Sequence, residues 1–253
     1  MNGETGFACR LTAAAKSALK GGEFSFEKMP YENKTTFLFE KRNGADSGVT
    51  ADSAAEWFAR LKEYGAEHIF LMMPYVVQDR RALGFANANP CTIFVRFADG
   101  TTSRFAPRWV FDNENRRWDI TIYEELMPNA PAEMPSFKDN TSLFKKALSD
   151  IRALAEKLGF EQFAEFFKKG YDVLDGGEMP ENLDQLIVPK LSEKQLRMYL
   201  AADISDVFGA MGSWNDTPGV VAHNMGLTEE YSKLSQELYA QNRLALMYAI
   251  NEE

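Results

Sequence analysis

The stretch Ile93-Phe94-Val95-Arg96-Phe97-Ala98-Asp99-Gly100-Thr101 decides how this chain is expected to fold. Ile93, Val95 and Phe97 alternate with Phe94, Arg96 and Ala98, a period of two that predicts a half-buried strand. Asp99-Gly100 is a two-residue hairpin signal, because glycine accepts the positive φ that such turns require. A second strand is expected within Thr101 to Phe111, disturbed by Pro107, which has no backbone donor to give. Asn113 to Asn115 reads as the next turn. Trp118, Ile120 and Ile122 then alternate with Asp119, Thr121 and Tyr123. Three strands joined by short turns form an antiparallel meander, which predicts an α+β fold rather than a parallel doubly wound one.

Upstream of the meander, Leu11 to Lys20 reads as a short helix stopped by Gly21-Gly22. Phe24 and Phe26, and later Phe37 and Phe39, alternate with polar residues and predict two strands. Asn43 to Val49 reads as a loop. From Asp52 a helix is expected, with Ala54, Trp57, Phe58, Leu61 and Tyr64 on one face and Gly65 at its end. His68 to Met73 reads as a buried strand. Downstream, Pro128, Pro131 and Pro135 stiffen a segment that cannot be regular helix, and beyond it the apolar period becomes helical.

Phe144 to Leu158 marks one helix closed by Gly159, and Phe163 to Leu174 a second closed by Gly176-Gly177. A loop runs from Pro180 to Pro189. Ser192 with Gln195 forms a capping box for a third helix. Thr228 with Glu229 and Glu230 opens the last one, whose end, Leu244 to Ile250, is apolar nearly all round. The expected organisation is an α+β region over residues 1–128, with an antiparallel sheet, and a helical region over 138–253.

Of the 253 residues, 45% are hydrophobic and 26% charged, an ordinary globular balance that argues against disorder. Two cysteines, Cys9 and Cys91, cannot make a disulfide framework or a four-ligand zinc site. With no signal-peptide pattern and no run of apolar residues long enough to span a bilayer, the expected location is cytoplasmic. The net charge of −9 is unevenly placed: residues 1–130 carry 16 basic and 17 acidic side chains, the rest 12 and 20. An acidic helical half argues against nucleic acid or an anionic membrane as partner and points to a protein with a basic surface. Oligomeric state is not legible.

The signals for chemistry are sparse. His68 falls in an expected strand, and His223 in an expected loop near Ser213 and Asp216. Those three do not make a hydrolase triad, because Gly212-Ser213-Trp214 lacks the strand-turn-helix context of a nucleophile elbow. Asp203 and Asp206 are three apart on the third helix and could converge, but no recognised metal-binding spacing accompanies them. No catalytic residue, metal ligand or cofactor is therefore assigned. On a helical wheel Asp203 falls among Leu196, Tyr199, Leu200, Ile204 and Val207. A carboxylate facing a core requires a partner. The arginines Arg96, Arg104, Arg108, Arg116 and Arg117 could form an anion-binding sheet face, or simply a solvated one.

The segment Val207-Phe208-Gly209-Ala210-Met211-Gly212-Ser213-Trp214-Asn215-Asp216 resembles the Phe-Gly-Gly-Met-Gly-Ser-Trp-Asn-Asp-type motif of an uncharacterised group of bacterial cytoplasmic proteins, with Ala210 where that pattern often has glycine. In that group the motif closes one helix and precedes a Tyr- and Leu-rich final helix. The resemblance transfers no activity and no catalytic residue. Physically, the motif reads first as a packed helix reversal: glycines for close approach, Trp214 plugged into the core, Asn215-Asp216 in a turn before Pro218. The alternative places Trp214, Asn215 and Asp216, with Asp203 and His223, along a binding groove. Two function classes follow. One is a non-catalytic, inhibitor-like or immunity-like interaction module. The other is an enzyme with a carboxylate-centred, metal-assisted site between the two halves.

Overall fold

The meander is the middle of a larger sheet. A computed structural model describes residues 1–40, 49–88, 90–131, 133–179 and 191–252. Strands β4 (Thr92–Phe97), β5 (Thr102–Asp112) and β6 (Arg117–Leu126) run antiparallel as expected. The first hairpin connects its strands through four residues, Ala98 to Thr101, not two, with Gly100 at φ +82° and the Phe97 N–H donating to the Thr101 carbonyl at 3.0 Å. Pro107 stays within β5 opposite Ile122. It is tolerated because β4 pairs with β5 only as far as Phe105, leaving one side of β5 free beyond that point.

Strand β1 (Glu32–Leu38) pairs with β6 in parallel, so the sheet is mixed. The short β2 (Thr50–Ala51) and β3 (Ala66–Met72) form its edges, giving the order β2-β1-β6-β5-β4-β3. Helices α1 (Gly3–Leu19) and α2 (Ala54–Glu63) cover one face, over Phe37, Ile69, Leu71, Val95, Phe105, Ile120 and Ile122, all buried. The helix expected from Leu11 begins at Gly3, capped by Asn2, whose side chain accepts from the Thr5 N–H. It packs on β3 and on the last helix together, and its buried residues, including Phe7 to Ala15, occupy nearly every side.

Phe24 and Phe26 do not form a strand. Their segment stays unpaired, with Phe24 stacked on Phe58 at 4.6 Å and Phe26 edge-on to Phe7 at 5.4 Å. Alternation makes a strand only where a neighbouring strand is available, and here helices take the rings. Of the two expected loops, the first lies outside the described residues over 43–48 and the second over its whole length, 180–189.

In the C-terminal half, α3 (Thr141–Lys157), α4 (Glu161–Leu174), α5 (Glu193–Ser205), α6 (Thr217–Asn224) and α7 (Thr228–Asn251) pack with α7 at the centre, against α3, α5 and α6. The Ser192–Gln195 capping box is present. Thr228 is the first residue of α7 rather than a hydrogen-bonding cap. Helix α6 was not expected; its first turn holds Pro218, where the missing N–H is harmless. One hydrophobic cluster runs through both halves. α7 also reaches the sheet: the Asn251 side chain accepts from the Leu71 N–H at 2.7 Å and donates to the Leu71 carbonyl at 2.8 Å. A single amide thereby pairs part of the open edge of β3.

Candidate functional site

The Val207–Asp216 segment folds as a reversal between α5 and α6. The Trp214 N–H donates to the Val207 carbonyl at 2.9 Å, closing the loop, and Gly212 takes φ +82°. Trp214 is fully buried, edge-on to Phe163 and Phe167, each at 5.4 Å, and tilted over Tyr231 at 5.5 Å. Its indole N–H donates to Ser235 Oγ at 2.8 Å, and the Tyr231 hydroxyl donates to its carbonyl at 2.7 Å. Asn215 Oδ1 accepts from the Gly209 N–H and the Ser213 hydroxyl, while its Nδ2 donates to the Arg80 carbonyl at 2.7 Å. The Asp216 carboxylate accepts from the Gly212 N–H at 2.9 Å. These polar groups therefore hold the reversal together and tie it to the segment before β4.

That segment supplies the other side of a close contact. A Cβ on Gly84 would lie 2.8 Å from Ala210 Cα, so only glycine allows the two backbones to touch. The residues that follow on each side, Phe85 and Met211, are 76% and 94% exposed.

Asp203 and Asp206 take different partners. Asp203 is one-third exposed, with Oδ1 2.8 Å from the Met1 amino group. It does not face the core. The buried carboxylate is that of Asp206: its side chain has no exposure, lies 3.2 Å from the guanidinium of the equally buried Arg243, and accepts from the Asn2 N–H at 3.3 Å. Burial works against the Arg243 charge, but Asp206 and Tyr239 outweigh it and hold the guanidinium more firmly protonated than usual. The wheel fails because α5 packs against both α4 and α7, so its buried face centres on Met198, Ala201, Ala202 and Ser205.

Asp203 faces a cavity of about 600 Å³ between the two halves. The first turn of α1 supplies Glu4. Tyr31 comes from the approach to β1, Trp109 and Trp118 from the far ends of β5 and β6, and Tyr199 from α5, with Phe85 on the lip. The rings are contiguous: Trp109 and Trp118 lie 6.1 Å apart edge-on, and Tyr31 lies 6.2 Å from Trp109. Asn87, at φ +65°, fixes this end of the sheet. Its amide accepts from the Trp109 N–H at 2.7 Å and donates to the Trp109 carbonyl at 2.9 Å, while its own N–H donates to Glu4 at 3.1 Å.

Arg10, buried in the cavity wall, donates to the Glu27 carbonyl and the Tyr31 hydroxyl, lies 3.7 Å from Glu32 and stacks over Phe26. Burial pushes the Glu4 carboxyl above its ordinary range, opposed by the Asn87 hydrogen bond. Burial likewise raises the Tyr31 hydroxyl, against the pull of Arg10.

Of the residues singled out by sequence, only Asp203 lines this cavity; Trp214, Asn215, Asp216 and His223 do not. His223 lies on α6 rather than in a loop, exposed, with a ring nitrogen 3.3 Å from Thr228 Oγ1. Among the described residues, no three His, Cys, Asp or Glu side chains gather as a metal site. Arg104 is committed to Glu125 at 2.6 Å, and Arg96 donates to the Pro131 carbonyl. Glu4, Tyr31, Trp109 and Trp118 carry no site signal in the sequence. The two tryptophans flank the β5–β6 turn, a signal that becomes informative only once the turn is seen beside α1. No protein family, curated protein or solved structure matches this chain. Among the described residues, no helix is long and apolar enough to cross a membrane.

Proposed function

We propose that this protein is a non-catalytic binding module, of the inhibitor or immunity kind, that engages a protein with a basic surface at the mouth of the aromatic cavity. The observation that carries this is the pair Phe85 and Met211, held out into solvent on two backbones locked together through Gly84 and Ala210. Large apolar side chains fixed in water on an ordered scaffold are what a partner covers. The net charge of −9 supports a basic partner. Two buried free thiols suit a reducing, cytoplasmic setting, and the likeness of Val207–Asp216 to a group of bacterial cytoplasmic proteins belongs to the same reading.

The test is affinity capture from native lysate with wild type, with Phe85→Ser/Met211→Ser, and with an unrelated surface change, His68→Ala. A partner retained by wild type and His68→Ala and lost from the double variant is expected. Equal capture by all three would refute the surface assignment. The enzyme reading draws on one observation, the position of Asp203 and Glu4 in a cavity between sheet and helices. It requires turnover abolished by Asp203→Asn or Glu4→Gln.

A further inference from the structure

We propose that the cavity between α1, the β5–β6 end of the sheet and α5 receives one cationic side chain, a lysine or arginine presented by the partner, with Glu4 as its counter-charge and Tyr31, Trp109 and Trp118 as its wall. This rests on the binding-module reading and names what the module would grip.

The charge balance around the cavity favours a cation. Arg10 is buried and paired with Glu32, and its remaining contacts are the Glu27 carbonyl, the Tyr31 hydroxyl and the Phe26 ring. The Met1 ammonium is held by Asp203. Both cations that line the wall among the described residues are therefore already matched to carboxylates. Glu4 has the Asn87 N–H and its place in the first turn of α1, with no ion-pair partner among the described residues. Among the described residues an incoming anion would meet no unpaired cation, and it would meet the Glu4 carboxylate. An incoming apolar group would leave that carboxylate desolvated without recompense. A cation relieves it.

The wall of the cavity favours the same occupant. Three contiguous rings, Tyr31, Trp109 and Trp118, line one space, and tryptophan and tyrosine are the rings that best attract an ammonium or guanidinium. Arg10 already uses this chemistry on Phe26, with its guanidinium carbon 5.2 Å from the ring centre. The volume of about 600 Å³ lies in the range of ligand-binding cavities and admits a long side chain with adjoining main chain. Burial holds the Glu4 carboxyl above its ordinary range, as expected of a carboxylate whose counter-ion arrives with a partner.

The test is NMR on the full chain, following the four tryptophan indole N–H signals, with the cavity pair assigned from Trp109→Phe and Trp118→Phe. The probes are the N-acetyl methylamides of arginine and lysine, with that of norleucine as the neutral counterpart. Saturable movement of the Trp109 and Trp118 signals is expected with both cations, at least tenfold weaker with norleucine. In Glu4→Gln the cation affinity should fall at least fivefold while norleucine is unaffected. Wild-type cation affinity should also fall as pH drops through a carboxylate range displaced upward from 4.5, a readout that needs no variant. Equal uptake of norleucine, immobile indole signals, an unaffected Glu4→Gln, or a flat pH profile would each overturn the proposal. If cation uptake fails while partner capture still depends on Phe85 and Met211, the cavity assignment falls and the binding module stands; loss of both removes both.

Discussion

Asp206→Asn is the sharpest perturbation this structure offers, because it removes a charge and almost nothing else. The Asp206 side chain has no exposure and that of Arg243 only 4%, with Nη2 and Oδ1 3.2 Å apart. At that distance and an effective dielectric of about 20, the Coulomb attraction is about 5 kcal/mol. Removing one member of a buried pair costs about 3–5 kcal/mol, because the other charge stays buried without its partner. Asparagine keeps one oxygen for the guanidinium and for the Asn2 N–H, so a loss at the lower end, about 3 kcal/mol, is expected.

The matching double variant, Asp206→Leu with Arg243→Met, replaces both charges by apolar side chains. It should come within about 1 kcal/mol of wild type or exceed it. Urea unfolding followed by tryptophan fluorescence and circular dichroism, with midpoints compared at common slope, measures both. A loss below about 1 kcal/mol for Asp206→Asn, or a double variant less stable than the single, would refute the account of this pair as a structural charge clamp.

Trp214→Ala should cost about 3–5 kcal/mol by emptying a fully buried site, and Ser235→Ala about 1 kcal/mol by orphaning the indole N–H. Trp214→Phe and Ser235→Ala should be less than additive in a denaturation cycle, since both remove the same bond. Asn251→Ala should cost about 1–3 kcal/mol by unpairing the Leu71 N–H and carbonyl. Concentration-dependent association should follow in light scattering as the β3 edge opens, and an unchanged monomer would count against the edge-capping role. Burial pushes the Asp139 carboxyl up, but hydrogen bonds from Lys194 and Thr141 more than reverse this and bring it down to about 2. Its folded value therefore lies below its unfolded one, so its contribution is full above about pH 4 and lost as pH falls toward about 2. Asp139→Asn should thus melt below wild type at about pH 6 and converge with it near about pH 2; a constant gap would refute this.

Local physics wrote much of the fold into the sequence. Alternation over Ile93–Phe97 and Trp118–Ile122, the turn residue Gly100, and the glycines Gly65, Gly159 and Gly176, all at positive φ, set the strands, turns and helix ends where they are found. The Ser192–Gln195 box did the same for α5. The packed reversal at Trp214 was also legible, because its glycines, indole and short polar side chains each answer a need of a tight turn that is met within a few residues of chain.

Pairings between distant segments were not legible. Nothing local in Glu32–Leu38 indicates a parallel partner far along the chain, and nothing in Asn251 or Asn87 indicates that each completes a strand edge. The choice between Asp203 and Asp206 turned on how many helices press on α5, a property of the whole assembly. The cavity follows the same rule: Glu4, Tyr31, Trp109, Trp118 and Asp203 are scattered over most of the chain and share no period. By itself the sequence determined most of the strands and helices, several of their ends and the reversal, because those depend on neighbours a few residues away. Only the tertiary structure decided which carboxylate is buried and which is left without a cation beside the aromatic wall, because desolvation and charge pairing are set by whatever the fold brings within a few ångströms.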